Sequence, residues 1–210
     1  MTNFVVDRIK LTEAVCLIID SCNPRDLGAV KLHKVLYYSD MLHYLESGAP
    51  ITGSRYRKRP FGPTCDHLLG VLAELEAMGD LRIEEADHFG YKKKEFRLLR
   101  KRNYTNLSDR EIALLGEMLQ FVCYQNTARS ISDFSHDIVW DMVDFGQDIP
   151  YHSVLNWLPS EVSVEALEEA SAIRHSIEGT KPVRAVDLEG CVPTPLRARL
   201  ARHAGQAAVS

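Results

Sequence analysis

Residues 31–63 read KLHKVLYYSDMLHYLESGAPITGSRYRKRPFGP and carry the strongest structural signal in the chain. The first half is apolar on nearly every side of a helix of 3.6 residues per turn, through Leu32, Val35, Leu36, Tyr37, Tyr38, Met41, Leu42, Tyr44 and Leu45. Such a helix is expected at the centre of a domain, with neighbours packed around it. Asp26 is its predicted N-cap and Gly48 its predicted stop. We expect one of the adjacent Tyr37 and Tyr38 side chains in the core and the other partly exposed.

The second half of this stretch is basic and ends in a turn. Residues 51–59 are extended in character, and the alternation of side chains along an extended segment predicts one shared face for Arg55, Arg57 and Arg59. Pro63 disfavours helix at Gly62 and fits the first turn of a following helix. The sequence therefore predicts a tight turn at residues 61–63.

The stretch resembles the Panacea domain, also called the antitoxin SocA-like domain, whose members carry K-L-Q-K-L-L-Y-Y and, further along, an aromatic residue followed by Gly-Pro. The positions that match are Lys31, Leu32, Lys34, Leu36, Tyr37, Tyr38, Phe61, Gly62 and Pro63. A weaker likeness continues in ISDFSH, residues 131–136, which is similar to the family's L-S-x-L-T-H, and then in Trp140 and in Ile149-Pro150. The resemblance covers roughly residues 8–158.

The composition is that of a globular protein. The chain has 210 residues, 45% of them hydrophobic and 26% charged, and a net charge of -4. That length suits one sizeable core with a tail, and the negative balance argues against a protein that coats nucleic acid with its whole surface. An apolar run long enough to span a membrane and the basic-then-apolar order of a secretory signal are both absent from the sequence. The cytoplasm is the expected location.

Periodicity along the chain predicts a mainly α fold with a small β-hairpin. Helices are expected over Ile9–Ile19 and from Pro63 to near Gly79, followed by strands over Leu81–Glu85 and Lys93–Leu99 with Gly90 in the turn. This order is typical of a winged-helix unit, with the hairpin as the wing. Together with the resemblance, it predicts a compact, helical, Panacea-like domain with a winged-helix-like arrangement.

The remaining segments complete the expected domain organisation. Ser108 and Glu111 form a predicted capping box for a helix ending near Asn126, and Thr127 is the predicted cap of another. Residues 140–158 are expected to be irregular, anchored by Trp140, Phe145, Ile149 and Trp157. We expect the Panacea-like antitoxin domain over residues 1–158, an acidic C-terminal helix over 159–178, and a flexible basic tail over 179–210.

The residues that could support catalysis or metal binding lack the required spacing. The five cysteines are far apart and include no C-x-x-C pair, so buried free thiols are expected. Cys65 and His67 lack an orienting third group, and the adjacent Ser135, His136 and Asp137 point in different directions on a helix. The resemblance instead implies that this Ser-His pair ties a loop near Trp140. We expect no enzymatic activity, no cofactor and no metal.

The resemblance implies an antitoxin that neutralises a cognate toxin by direct protein–protein contact. It also implies that some members act as proteolytic adaptors and deliver the toxin to a protease or its unfoldase. The residues expected to contribute to the partner surface or to border it are Lys31, Tyr38, Arg57, Arg59 and Phe61. Gly62 and Pro63 are expected to shape the turn that presents this surface.

A winged-helix transcription regulator is the alternative. In that case the helix after Pro63 enters the major groove and Lys92, Lys93 and Lys94 contact phosphate. The basic segments are more consistent with solvated charge at a sheet edge, where Lys and Arg discourage the addition of further strands. Binding of nucleic acid is therefore less favoured than binding of a protein.

Overall fold

The computed structural model describes residues 4–88 and 90–158. Met1–Leu155 forms one compact unit, and a second unit begins at Asn156. The predicted acidic helix over 159–178 and the predicted basic tail over 179–210 lie outside the described residues, as does Cys191.

Helices dominate the described part of the chain, and two small antiparallel sheets accompany them. The helices are α1 Arg8–Asp20, α2 Gly28–Ser47, α3 Leu68–Ala77, α4 Asp109–Leu119, α5 Ala128–Phe134 and α6 Ile138–Asp141, with a π-helix at Gln120–Tyr124 and a 3-10 helix at Tyr151–Trp157. The sheets pair β1 Tyr56–Arg57 with β2 Thr64–Cys65, and β3 Leu81–His88 with β4 Tyr91–Leu98. The predicted mainly α fold with a small hairpin is confirmed, while the winged-helix interpretation stays a prediction.

α2 is the central helix. It contacts α1, α4, α5 and the π-helix as well as strands β2 and β4. Both of its adjacent tyrosines are therefore buried, Tyr37 at 0% and Tyr38 at 1% exposure, and the expectation that one of them is partly exposed is wrong. Their ring centroids lie 5.2 Å apart in an edge arrangement, and Tyr38 also approaches the rings of Phe121 and Phe134. Neighbours on several sides leave this helix no solvent-facing stripe at that level.

The ends of the helices follow the predicted capping residues with one exception. Gly48 ends α2 in the left-handed region, and Ser108 with Glu111 forms the predicted capping box of α4. Thr127 caps α5 as expected. Asp26 does not cap α2, because the helix starts only at Gly28, after Leu27, and Asp26 instead lies in a turn that begins at Asn23.

Three elements differ from their predicted extent. The hairpin strands are longer than predicted, with Gly90 at φ +85° in the turn between them. The helix that begins at Asp109 is α-helical only as far as Leu119 and continues as the π-helix. The segment expected to be irregular contains α6, where the Asp137 side chain accepts a hydrogen bond from the Trp140 backbone, and the 3-10 helix. Helices of four and seven residues are too short to give a periodic signal in the sequence.

Candidate partner-binding surface

The buried side of the turn at residues 59–63 packs against α2 and against the C-terminal end of α5. Lys34 of α2 is 1% exposed, and its Nζ donates a hydrogen bond of 2.9 Å to the Pro63 carbonyl oxygen. Gly62 has φ +84°, and a Cβ atom there would lie 2.5 Å from the Lys34 Nζ and would collide with the Oγ of Ser135. Ser135 is itself fixed, because its hydroxyl donates to the Ser132 carbonyl at 2.7 Å. Glycine is therefore the residue that this turn can accommodate.

Burial lowers the pKa values of the basic side chains on the buried side of the turn. It lowers the pKa of Lys34 to about 7, although Asp137 partly opposes that shift. Burial and the nearby Lys34 ammonium also lower the pKa of His136. The base of the turn therefore carries less positive charge near neutral pH than its residue types suggest.

The basic segment before the turn is built into a small sheet. The Arg57 guanidinium contacts the Asp66 carboxylate at 2.7 Å and the Asp148 carboxylate at 3.1 Å. On the backbone, Lys58 exchanges hydrogen bonds of 3.0 Å with residues 146 and 147, and the Ile149 N–H donates to the Tyr56 carbonyl at 2.7 Å. Residues 56–58 thus join the turn to residues 146–149. Arg57 and Arg59 do not share one continuous strand face, because β1 ends at Arg57 and Arg59 lies in the turn.

A second buried charge on α2 fixes the start of the same segment. Asp40 is fully buried, and its carboxylate accepts hydrogen bonds from the Thr52 backbone at 2.8 Å and from the Tyr56 hydroxyl at 2.7 Å. Tyr151 contributes a further bond at 3.2 Å. Burial raises the pKa of Asp40, while these donors favour the ionised form. Residues 52–56 are consequently anchored to α2 before the chain reaches the turn.

Above the sheet, three side chains form a stacked column. The Lys58 Nζ lies 3.8 Å from the centroid of the Trp140 ring, within cation–π distance. The His136 ring stacks on Trp140 with centroids 4.1 Å apart. His136 therefore packs against Trp140, and the loop-tying role that the resemblance implies for the Ser-His segment stays a prediction.

Large apolar side chains project from the two segments that this column joins. Phe61 is 68% exposed at the tip of the turn, and three side chains on residues 138–145 are each more than half exposed. Arg59 and Pro60 are exposed beside Phe61. We call this set the Phe61 surface: Arg59, Phe61, Ile138, Met142 and Phe145. The backbone pairing of Lys58 with residues 146 and 147 brings the two segments together. Exposed apolar residues on neighbouring segments are typical of an interaction site.

The structure places some of the predicted site residues on the Phe61 surface and buries others beneath it. Arg59 and Phe61 are exposed, whereas Tyr38 lies in the core. Lys31 is 8% exposed, and its Nζ donates to the Cys123 carbonyl at 2.9 Å. Arg57 is half-buried in its ion pairs, and Gly62 and Pro63 are buried and shape the turn.

The sequence reasoning missed the contribution of residues 138–145. The expectation that Phe145 anchors its segment is wrong, because this side chain is 58% exposed, whereas Ile149 is buried as expected. The segment has no periodicity from which a buried side is readable. The pairing of Gly146 and Gln147 with Lys58, which brings it beside the turn, is visible only in the folded chain.

The arrangements considered for catalysis and metal binding are closed to solvent or incomplete. The Ser54 hydroxyl lies 3.0 Å from the Cys65 Sγ and 2.8 Å from the His67 Nδ1, but Ser54 and Cys65 are both buried. Burial raises the pKa of Cys65 to about 11, so the thiolate is disfavoured. In the part of the chain that the structure describes, His, Cys, Asp and Glu side chains nowhere gather in threes to hold a metal ion.

The elements assigned to DNA contact in the alternative interpretation carry compensating charge. α3, the expected recognition helix, has Glu74 and Glu76 on its exposed side and contains no lysine or arginine. In the hairpin, Lys92 pairs with Glu85 at 3.0 Å, and Lys94 lies opposite Glu85 in register. A helix that enters the major groove needs cations or hydrogen-bond donors near phosphate. This helix offers acidic side chains there instead.

Comparisons with known proteins identify the family. The sequence model of a family described as antitoxin SocA-like, Panacea domain, matches residues 32–141, just over half of the chain. Comparisons with curated proteins and with solved structures give no match. Across the described residues, none of the helices is both long and apolar enough to cross a bilayer. Membership supports, in general terms, an antitoxin role without enzymatic activity and a toxin as partner. The chain belongs to the antitoxin SocA-like family, which the Panacea domain defines.

Proposed function

We propose that this protein is the antitoxin of a toxin–antitoxin system and neutralises its cognate toxin in the cytoplasm by direct binding through the Phe61 surface. The family supports the general role. The observation that supports this surface is the 68% exposure of Phe61 on a turn whose base is fixed by Lys34 and Gly62. Lys34, Gly62 and Ser135 form the buried base of the turn, which we call the clamp. Because the Phe61 side chain extends away from the clamp into solvent, it does not stabilise the fold by its own burial.

The physical chemistry of the surface suits protein recognition. Aromatic and arginine side chains dominate the residues whose truncation costs most in measured interfaces, about 2 kcal/mol or more each. Arg59 stands two positions before Phe61, and Met142 adds a flexible apolar contact that adapts to a partner. The clamp also fixes the turn before binding, so little conformational entropy is lost on association.

Co-expression with the neighbouring reading frame tests the proposal. That frame should be toxic when expressed alone, and co-expression of this protein should restore growth. Purified toxin should form a stable complex with this protein on size-exclusion chromatography. Equal toxicity with and without this protein would refute the antitoxin role.

Two variants test whether the Phe61 surface is the binding site. Phe61→Ala and Arg59→Ala should weaken the complex and leave the melting temperature unchanged. Leu69→Ala is the matched control, because Leu69 is an apolar residue of similar exposure, 67%, and lies on a different element, α3. If Leu69→Ala weakened the complex as much as Phe61→Ala, the surface would have to be assigned to α3.

Delivery of the toxin to a protease or its unfoldase is the second part of the proposal. In that case the toxin half-life in cells should be short in the presence of the full chain. Residues 179–210, which lie outside the described residues, are the segment proposed to engage the protease. Their removal should lengthen the toxin half-life while the complex still forms. An unchanged half-life would exclude a role of the tail in proteolysis.

A further inference from the structure

The residues that precede α1 lie along the chain that leads to the turn. We call residues 4–7 the strap. The Asp7 backbone N–H donates a hydrogen bond of 2.8 Å to the Thr52 carbonyl oxygen. Gly53 has φ +66°, and a Cβ atom there would lie 2.6 Å from the Val5 carbonyl oxygen. The backbone of the strap therefore packs directly on this part of the chain, and only glycine leaves room for it.

The Phe4 side chain joins the strap to a cluster of tyrosine rings. Its ring meets Tyr44 of α2 and Tyr151 of the 3-10 helix edge-on, with centroids 5.7 Å and 5.5 Å apart. Tyr151 also lies 5.7 Å from Tyr44 and 6.1 Å from Tyr56, measured between ring centroids. Edge-on aromatic pairs at this separation are favourable. Val5, the next residue of the strap, is 88% exposed, so the strap is held by Phe4 and by its backbone.

Tyr151 connects the strap to the scaffold of the Phe61 surface. Its hydroxyl donates to the Ser54 carbonyl oxygen at 2.5 Å and lies 3.2 Å from the buried Asp40 carboxylate. Shortly before it in the chain, residues 146–149 pair with residues 56–58 through backbone hydrogen bonds. This pairing brings the two segments of the Phe61 surface together. A Tyr151 side chain that loses its restraints would therefore weaken the pairing.

We propose that Phe4 is a positioning residue, which acts through Tyr151 to keep the scaffold of the Phe61 surface closed. Without the Phe4 ring, Tyr151 keeps its neighbours on α2 and β1 but loses its contact with the strap. The pairing between residues 56–58 and 146–149 then opens more often, as a local event. The mutual contacts of α1, α2 and α4 do not involve the strap, so the domain stays folded. The consequence for the toxin rests on the proposed function, whereas the local opening does not.

Hydrogen exchange of the free protein tests the strap. Phe4→Ala should raise the exchange rates of the paired backbone amides of Lys58, Gly146 and Ile149 about tenfold and leave those of α4 unchanged. Phe4→Tyr keeps the ring and should preserve the original rates. Val5→Ala is the matched control, because Val5 is an exposed residue of the same strap. Unchanged rates in Phe4→Ala, or an equal rise throughout α4, would overturn the proposal.

Gly53→Ala tests the strap from the opposite side. The added Cβ would displace the Val5 carbonyl, so the same three amides should exchange faster although the Phe4 ring is present. Gly48→Ala is the control for the backbone conformation, because Gly48 has φ +78° with open space around its Cβ position. The double variant Phe4→Ala/Gly53→Ala should exchange little faster than either single variant, since both release one strap. Effects that multiply in the double variant would overturn the proposal.

The complex with the toxin tests the link to the proposed function. Because the toxin is proposed to bind the closed scaffold, it should slow the exchange of the same three amides, in the unmodified protein and in Phe4→Ala alike. A toxin that binds without slowing them would overturn the Phe61 surface as its site. The measurements on the free protein would still decide the role of the strap.

Discussion

The two sides of the turn at residues 59–63 have opposite characters. On the buried side, Lys34, Gly62 and Ser135 are held within contact distance, and a single added carbon has no room. On the exposed side, Arg59 and Phe61 extend into solvent. Substitutions on the buried side should therefore change the stability of the fold. Substitutions on the exposed side should change binding alone.

This comparison also explains why a costly residue is found under the turn. Burial of a lysine without a carboxylate partner at hydrogen-bond distance is unfavourable for its charged form. Lys34 nevertheless donates a hydrogen bond to the buried Pro63 carbonyl oxygen. A buried acceptor that loses its donor destabilises the fold. Burial of Lys34 thus lowers the stability of the fold but holds the turn in one conformation. That conformation presents Arg59 and Phe61 to solvent.

The largest effect is expected from Gly62→Ala. The added Cβ would meet Ser135 and Lys34, and the backbone is at φ +84°, so the loss in unfolding free energy should be about 3 kcal/mol or more. Gly48→Ala is the matched control, because Gly48 has φ +78° but open space around its Cβ position, and about 1 kcal/mol is expected. Chemical denaturation of both variants measures the difference. Equal losses would mean that the clamp on Gly62 is absent in solution.

The next effect concerns pH and Lys34. The unfolded chain keeps this lysine protonated up to its ordinary pKa of 10.5, while the folded chain releases the proton near pH 7. Folding therefore becomes more favourable as the pH rises above 7, by about 2 kcal/mol between pH 7 and pH 9. Lys34→Met should remove that gain. Denaturation of both proteins at the two pH values isolates it, and parallel pH profiles would show that Lys34 has an ordinary pKa.

A smaller effect separates two neighbouring arginines. Arg59→Ala should reduce toxin affinity by about 1 to 2 kcal/mol without lowering the melting temperature, because its side chain is exposed beside Phe61. Arg57→Ala should instead reduce the unfolding free energy by about 1 kcal/mol, because it removes the contacts to Asp66 and Asp148. Calorimetric titration and thermal melts of both variants provide the test. Equal losses of stability and binding at Arg59 would make that residue structural.

The smallest effect is expected at the stacked column. Lys58→Met keeps the aliphatic stem over Trp140 and removes the cation, so the loss in stability should be about 0.5 to 1 kcal/mol. High salt should affect the unmodified protein more than the variant. A variant as stable as the unmodified protein at low salt would show that the cation–π contact contributes nothing.

Local patterns in the sequence predicted the central helix, its glycine stop, the capping box of α4, the Thr127 cap of α5 and the hairpin. Gly48, Ser108 and Thr127 act through bonds to residues close to them in the chain, which is why they are readable. Tyr38 was harder to place, because its exposure depends on Phe121 and Phe134, which are distant in sequence.

The candidate site was predictable in part for the same reason. Phe61 and Arg59 follow from the turn signal at Gly62-Pro63 and from their own residue types. The second segment, with Met142 and Phe145, reaches the turn only through backbone pairing between residues 58 and 146–147. Contacts between residues so far apart in the chain form only in the completed fold, so a local sequence pattern does not predict them.

We propose that the exposed side of the turn binds the toxin, whereas the buried side folds in the absence of the toxin. The most direct measurement is the toxin affinity of Phe61→Ala, compared with the unmodified protein and with Leu69→Ala, together with the melting temperature of all three. We expect a loss of about 2 kcal/mol or more in binding for Phe61→Ala, no loss for Leu69→Ala, and three equal melting temperatures. Unchanged affinity of Phe61→Ala, or a fall in its melting temperature that matches the loss in binding, would contradict it.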